Sequence, residues 1–168
     1  MSERSAAPGG LALIETLVNT LDIQAGTDAL DTPEVRVRLG ITGDGVAAAR
    51  ELRESLRAAL LAHAGHPPHR AVTPLGTLLA RAPLYVAVDE RDGAARLAPA
   101  DTSPLLSRVA AAVAEALVAG TWTRLKACES RTCHWAYYDR SPAGRGRWCS
   151  MQVCGARAKM RRYRAKGP

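Results

Sequence analysis

Four cysteines near the end of the chain constrain its fold more than any other feature. Cys128 and Cys133 enclose four residues, Cys149 and Cys154 enclose another four, and fifteen residues separate the two pairs. Two thiol pairs at this separation are typical of a structural zinc site, although the usual pairs enclose two residues. A segment of about 45 residues has too small a core to fold firmly alone, and bound zinc supplies much of the missing folding free energy. We therefore predict that the four cysteines hold one Zn²⁺; disulfides or unrelated buried thiols fit less well.

Charge divides the chain at Gly120. Residues 1–120 hold 11 Lys/Arg and 14 Asp/Glu, whereas residues 121–168 hold 12 Lys/Arg and 2 Asp/Glu. We therefore predict a weakly acidic domain over 1–120 and a small basic module over 121–168. No apolar run approaches the ~20 residues of a membrane span, and the first residues lack the pattern of a secretory signal. The expected location is the cytoplasm, where thiols stay reduced and disulfides are rare.

Apolar periodicity predicts an α+β fold, in which the first domain is mostly helical with one small antiparallel hairpin. The predicted helices cover 11–21, 44–63, a short segment from Thr73-Pro74 to Pro83, and a last helix from Ser103-Pro104 to Gly120. The predicted hairpin pairs 84–88 with 94–99, while 31–40 fits either a helix or a strand. Along 44–63, the face opposite the apolar stripe is charged and allows Arg50 to pair with Glu54. Its members are Arg50, Glu51, Arg53, Glu54 and Arg57.

The polar residues of the first domain indicate no catalytic site. Three histidines at intervals of three residues suggest a metal site, but the prolines at 67–68 interrupt any helix that would bring them together. They are His63, His66 and His69. Asn19 and Thr20 either line a polar pocket or bond the local backbone, and the second interpretation is favoured. We find no nucleophile–base pair and no phosphate-binding glycine loop, and four thiolates leave zinc no open position, so we do not expect an enzyme.

The segment between the cysteine pairs predicts a hairpin. Residues 134–139 alternate as a strand, 141–146 form a turn, and 147–148 return to the second pair. We expect its small core to hold Trp135, Tyr137 or Tyr138, and Trp148, with Trp122 at the junction with the first domain. We expect His134 on the surface or beside the ligands rather than on the metal. Because four thiolates around Zn²⁺ carry a net charge of −2, Arg147 and Arg157 are candidates to lie beside the centre.

The residues after the last cysteine predict a basic amphipathic helix. Val153, Ala156, Met160 and Tyr163 form its apolar stripe at helical spacing. Residues 157–166 contain six cations and no acid, and these cations repel one another unless an anion neutralises them. Nucleic-acid phosphate is the natural partner. The candidate nucleic-acid-binding residues are Arg157, Lys159, Arg161, Arg162, Arg164 and Lys166.

The run from Leu125 to Lys159 resembles the CGNR-type zinc finger. Besides the four cysteines, the resemblance rests on Trp135, Tyr137 or Tyr138, Asp139, Ser141, Arg147, Trp148, Ser150, Met151, Gly155 and Arg157. Ala156 replaces the asparagine of the family's name, which removes an amide able to cap the helix or touch nucleic acid. In that family the finger follows an ABATE domain, and 11–21 resembles the opening helix of that domain through Val18-Asn19-Thr20.

The resemblance implies a bacterial transcription regulator. Together with the basic segment, it makes a zinc-binding regulator that contacts DNA through its C-terminal helix the leading hypothesis. RNA or ribosome binding by the same module is one alternative. A protein-interaction adaptor with a purely structural zinc is the other. A homodimer and an unidentified small-molecule effector of the first domain are further expectations, whereas a membrane partner is not expected.

Overall fold

The computed structural model describes residues 5–102 and 104–165. The helices are α1 (Leu11–Val18), α2 (Pro33–Arg38), α3 (Gly45–His63), α4 (Leu75–Leu79), α5 (Leu105–Val118) and α6 (Ala156–Ala165). The strands are β1 (Leu21–Asp22), β2 (Thr27–Asp28), β3 (Leu84–Val88), β4 (Ala95–Pro99), β5 (Leu125–Ala127) and β6 (Ala136–Tyr138). The strands form three antiparallel two-stranded ribbons, β1–β2, β3–β4 and β5–β6. The predicted α+β class is confirmed.

The helices of the first domain follow the predicted apolar spacing with small changes at their ends. α1 stops at Val18, three residues earlier than predicted, because the Thr20 hydroxyl donates to the Leu17 carbonyl over 2.7 Å and competes with a further turn. The ambiguous segment 31–40 contains the helix α2, with Pro33 at its first position. The predicted hairpin is confirmed, with Leu84 opposite Pro99 at one end of the β3–β4 ribbon. Ser103, predicted to begin the last helix, lies outside the described residues.

The charged face of α3 is where the structure departs most from the sequence prediction. Arg53, Glu54 and Arg57 are buried, and Arg57 has no exposed surface. The predicted pair of Arg50 with Glu54 is wrong, because Arg50 bonds Asp28 and Asp31. Elements that pack over α3 supply polar partners for this face, and a helix judged from its own pattern gives no sign of them.

One hydrophobic core runs through both halves of the described chain. Ile14 on α1, Leu56 on α3 and Val109 on α5 belong to the same buried cluster as Leu125 on β5 and Ala136 on β6. The β5–β6 ribbon therefore packs against the helices. No helix in the described ranges combines the length and apolar character needed to cross a membrane.

The strand β6 pairs with a different segment from the one predicted. β6 pairs with β5, which precedes the first cysteine, with Leu125 opposite Tyr138. Residues 147–148 form no strand, although the Arg147 carbonyl accepts one hydrogen bond from the Glu129 amide over 3.0 Å. The first cysteine pair consequently lies in the connection of the ribbon, close to the helical core.

Candidate metal centre

Three loops bring the four cysteine sulfurs together. Cys128 directly follows β5, Cys133 lies just before β6, Cys149 lies in the following loop, and Cys154 belongs to a wide helical turn, Met151–Gly155. Their Sγ atoms all lie within 4.8 Å of one another. The Cys133 and Cys149 sulfurs are 3.5 Å apart, and those of Cys149 and Cys154 are 3.7 Å apart. Four sulfurs at ~2.3 Å from one tetrahedral Zn²⁺ would lie about 3.8 Å apart, so the cluster has the dimensions of such a site.

The electrostatics of the cluster also fit a divalent cation. Hydrogen bonds from the Cys133 and Cys149 thiols lower the pKa of Cys128, so this sulfur holds negative charge most easily. The hydrogen bond to Cys128 raises the pKa of Cys133 and also that of Cys149. Burial raises the pKa of Cys154. The sulfurs therefore resist a shared negative charge by themselves, and a cation that they all contact removes that resistance.

Backbone hydrogen bonds fix the first pair of cysteines. The Cys128 amide donates to the Trp135 carbonyl over 2.9 Å, and the Cys133 amide donates to the Ser130 carbonyl over 2.8 Å. His134 has a φ of 51°, a left-handed value that turns the chain sharply into β6. Its ring is buried, and its Nδ1 lies 3.0 Å from the Cys128 carbonyl. His134 therefore supports the turn from beside the cluster, and the alternative expectation of a surface position is wrong.

Asp139 organises the loop that leads to the second pair of cysteines. Its carboxylate accepts hydrogen bonds from the Lys126 ammonium over 3.0 Å, the Ser141 hydroxyl over 2.7 Å and the Gly146 amide over 2.7 Å. Burial raises the pKa of Asp139, but these donors together lower it by more. The net pKa therefore lies well below its ordinary value. A Cβ at Gly146 would come within 2.8 Å of the carboxylate, so this close approach requires glycine.

Buried Arg57 joins the helical core to the metal loop. One terminal nitrogen of its guanidinium donates to the His134 carbonyl over 2.7 Å, and the other donates to the Val18 carbonyl over 2.8 Å. Glu54 accepts from Arg57 and from Arg53, at 3.1 and 2.8 Å. Burial raises the pKa of Glu54, but these arginines lower it more, so the net pKa lies below its ordinary value. Arg57 therefore fixes the residue that follows Cys133 relative to α1 and α3.

Asn19 makes a second junction between the two halves. Its amide nitrogen donates to the Ala136 carbonyl over 3.0 Å, and its amide oxygen accepts from the Ala136 nitrogen over 2.7 Å. The side chain thus pairs with β6 as another strand would. The favoured expectation of local backbone bonding is wrong for Asn19, although it holds for Thr20. A sequence gives no sign of this pairing, because 117 residues separate the two partners.

The three histidines of the first domain have three different partners. His63 Nδ1 donates to the Leu125 carbonyl over 2.7 Å, and His69 Nε2 lies 2.9 Å from a Glu54 oxygen. His66 faces Glu129, with 3.8 Å between its Nε2 and the carboxylate. The contacts of His63 and His66 tie α3 and the loop after it to β5 and the metal loop, whereas that of His69 ties the loop back to α3.

The aromatic residues divide between packing and exposure. Tyr137 is buried and its hydroxyl donates to the Gly146 carbonyl over 2.7 Å, while Trp148 packs against the cysteine cluster. Trp122 packs edge-on against His63, with 4.9 Å between ring centroids, at the predicted junction. Trp135 is 38% exposed, so its predicted place in the small core is wrong.

The cations of α6 are exposed, and most lie apart from the sulfur cluster. The described candidates Arg157, Lys159, Arg161, Arg162 and Arg164 are all exposed, and Lys166 lies outside the described residues. Arg157 donates to the Gln24 side-chain oxygen over 2.5 Å. Arg147 forms a two-pronged ion pair with Glu129 and lies over the Trp148 ring. Both arginines expected beside the centre therefore direct their hydrogen bonds to other side chains.

Two family models match the chain. Residues 11–120 match ABATE, described as "Putative stress-induced transcription regulator", and residues 124–167 match the CGNR zinc finger. The order agrees with the resemblance in the sequence, and neither description is that of an enzyme family. Together with the sulfur cluster, the finger match confirms that the protein binds zinc. A comparison with curated proteins finds no match to this chain.

Proposed function

Because the chain belongs to the ABATE family and carries a CGNR zinc finger, we propose that it is a regulator that binds duplex DNA through α6. The observation that carries the proposal is the row of exposed cations on this helix. No acidic residue occurs between positions 151 and 165, so no carboxylate of the helix itself offsets its positive charge. Outside the helix, Arg162 lies close enough to Glu129 to help lower the pKa of that carboxyl.

The dimensions of α6 suit a duplex. Ten residues of α-helix are about 15 Å long, and the major groove of B-DNA, about 12 Å wide, admits a helix of this diameter. The first turn contains Arg157 and Lys159, and three further arginines follow. Ala156, at the position of the family's asparagine, is exposed and offers no hydrogen-bonding side chain. We therefore expect phosphate contacts to contribute more to affinity than contacts to base edges.

The role of zinc in this proposal is structural. Cys128, Cys133, Cys149 and Cys154 would hold the ion and leave it no open position for water. Zinc would then fix the wide turn that precedes α6 and aim the helix away from the core. This donor set supports a binding protein rather than an enzyme. We place its action in the cytoplasm, where the thiols remain reduced.

Salt dependence of binding tests the proposal. If four to six cations touch phosphate, the binding constant for a fluorescein-labelled duplex should fall with salt at a log–log slope of roughly −4 to −5. Replacing Arg161 and Arg162 by glutamate should abolish binding measured by fluorescence anisotropy. The matched control replaces Arg91 and Arg96, exposed cations on and beside the β3–β4 ribbon, by glutamate and should change binding little.

Two results would overturn the proposal. One is an absence of duplex binding at low salt by the zinc-loaded protein. The other is unchanged binding after charge reversal at Arg161 and Arg162. Competition with structured RNA at one salt concentration separates the alternatives, because tighter binding of RNA would assign the helix to RNA or ribosome recognition. A charge-reversed variant that binds neither duplex DNA nor structured RNA, yet keeps the protein's biological activity, would favour a protein-interaction adaptor.

A further inference from the structure

A cleft of about 740 Å³ lies between the two halves of the molecule. One wall is the C-terminal half of α1, with Glu15 and the C-cap Asn19, and the turn between β1 and β2. The opposite wall is the metal-bearing loop, including Cys133, Cys149 and Cys154, and the wide turn before α6. This volume is in the range of cavities that hold small organic molecules.

Large apolar side chains line the cleft although they face solvent. Trp135 is 38% exposed, Val153 is 47% exposed and Met151 is 72% exposed. Contact between these apolar surfaces and water is unfavourable, and a bound apolar group would cover them. Trp135 also has an electron-rich ring face, which attracts a cation.

Negative charge dominates the polar lining of the same cleft. Glu15 and Asp22 each use one carboxylate oxygen to accept a backbone hydrogen bond, from the Ala7 amide at 2.6 Å and the Ala25 amide at 2.9 Å. Within the part of the chain that the structure describes, no hydrogen bond reaches the second oxygen of either carboxylate. Both carboxylates thus retain accepting capacity in the cleft.

The other charged groups around the cleft leave its lining net negative. Among the described residues that line the cleft, Arg157 is the only cation, and it already donates to Gln24. When zinc is bound, four thiolates outnumber its two positive charges, so the sulfur wall is negative as well. An anion would meet repulsion from these groups.

We propose that this cleft binds a small organic cation that carries an apolar or aromatic body. The body would cover Trp135, Met151 and Val153, and the charged group would lie between the Trp135 ring and the carboxylates of Glu15 and Asp22. This site goes beyond nucleic-acid binding and does not depend on it. Because Arg157 belongs both to the cleft and to α6, a bound cation would also lie at the base of the basic helix.

Isothermal titration of the zinc-loaded full chain with benzyltrimethylammonium tests the proposal. We expect saturable binding of one molecule per chain, at least tenfold tighter than that of neutral benzyl alcohol, and no binding of benzoate. Trp135→Leu keeps the apolar contact but removes the aromatic face, and should weaken binding about 2- to 30-fold. Asp22→Asn and Glu15→Gln keep an accepting oxygen for the backbone amides and remove one charge each, so each should also weaken binding.

A charge change elsewhere serves as the control. Asp44→Asn removes a charge at an exposed residue before α3, outside the cleft, and should leave the affinity unchanged. Zinc content, measured for every variant, shows that the centre stays loaded. The proposal is wrong if the cation fails to bind at 10 mM or binds no better than benzyl alcohol. It is also wrong if the three cleft variants bind as the wild type does.

Discussion

Helices α3 and α6 have the same kind of two-sided sequence and opposite environments. On α3, the charged residues Glu54 and Arg57 are 2% and 0% exposed. On α6, the apolar residues Met160 and Tyr163 are 51% and 75% exposed. Periodicity identifies which residues share a helix face, but it does not say what covers that face.

Tertiary partners explain the difference. The charged face of α3 meets Asp28, the Thr20 hydroxyl and the carbonyls of Val18 and His134, so its buried charges are paired and hydrogen-bonded. α6 follows the metal turn, and of its residues only Ala158 is buried. Its apolar stripe therefore lacks a counterpart within the described chain.

Of the changes considered, zinc removal should have the largest effect on stability. Structural zinc contributes roughly 10–16 kcal/mol in finger peptides, as much as or more than the ~5–15 kcal/mol that holds a whole domain together. We expect a strong chelator, or Cys154→Ser, to unfold β5, β6 and the metal loops. Because Arg57 bonds the His134 carbonyl, amides of α3 should also exchange faster, as hydrogen exchange measured by mass spectrometry would show.

The control for this experiment is chelator followed by excess zinc, which should restore the exchange pattern. A helical part that keeps its full protection without metal would contradict the coupling through Arg57. That outcome would mean that the two halves fold as independent units.

Breaking the buried charge network should have the next largest effect. Arg57→Met leaves Glu54 with one fewer partner inside the core, and we expect a loss of about 3–5 kcal/mol in the free energy of unfolding. Adding Glu54→Gln removes the buried carboxylate charge that has lost its partner and should recover part of the loss. Urea unfolding of the zinc-loaded variants measures both changes.

Arg50→Met is the matched control, because Arg50 lies on the same helix with its side chain 41% exposed. Its effect should be much smaller than that of Arg57→Met. Equal effects of the two substitutions would show that burial of the α3 charges does not increase their contribution to the free energy of unfolding.

Loss of the Asn19 junction should cost less. Asn19→Ala removes two hydrogen bonds to Ala136, each worth about 1 kcal/mol, so we expect a loss of roughly 2 kcal/mol in urea unfolding. Thr16→Ala is the control, since its hydroxyl bonds only the Ala12 carbonyl within α1. If both variants unfold alike, Asn19 does not tie α1 to β6.

The sequence predicted local features well because local physics determines them. The helix over 44–63 and the hairpin of 84–88 with 95–99 follow from apolar spacing and turn residues. The cysteine spacing predicted zinc because four thiols in a short basic segment have few other uses. These inferences need no knowledge of distant contacts.

Features that depend on distant contacts escaped prediction. Arg57 has a normal place in a charged face until the Val18 and His134 carbonyls are brought to it, and Asn19 pairs with Ala136 across the fold. The partner of β6 was misjudged for a different reason: β5 and the predicted return strand at 147–148 lie equally near β6 in sequence, so spacing alone did not decide between them. For Arg57 and Asn19, a chain segment far away in sequence provides the deciding contact.

The pH dependence of stability should sharpen the comparison at the end of α3. Burial lowers the pKa of His63, more than its hydrogen bond to the Leu125 carbonyl raises it. The unfolded chain therefore takes up protons at a higher pH than the folded chain. Stability from His63 is complete above the ordinary pKa of about 6.5 and declines as the pH falls toward the folded pKa.

One such group changes the free energy of unfolding by at most about 1.4 kcal/mol per pH unit. Urea unfolding between pH 7.5 and 5.5 should show a loss of stability below about pH 6.5 in the wild type and a smaller loss in His63→Gln. Identical slopes in the two proteins would indicate that His63 takes up its proton equally in both states.

Polar substitutions on the apolar stripe of α6 should have the smallest effect on folding. Met160→Ser and Tyr163→Ser change exposed side chains, so each should alter the free energy of unfolding by no more than ~0.5 kcal/mol. Leu56→Ser on α3 is the contrasting substitution, because Leu56 is fully buried and its replacement should strongly lower the free energy of unfolding.

Urea unfolding at two protein concentrations tests whether another copy of the chain covers the stripe. If it does, the destabilisation by Tyr163→Ser should grow with protein concentration. A concentration-independent loss of more than ~1 kcal/mol would contradict the contrast between α3 and α6, since the stripe would then contribute to the fold of a single chain.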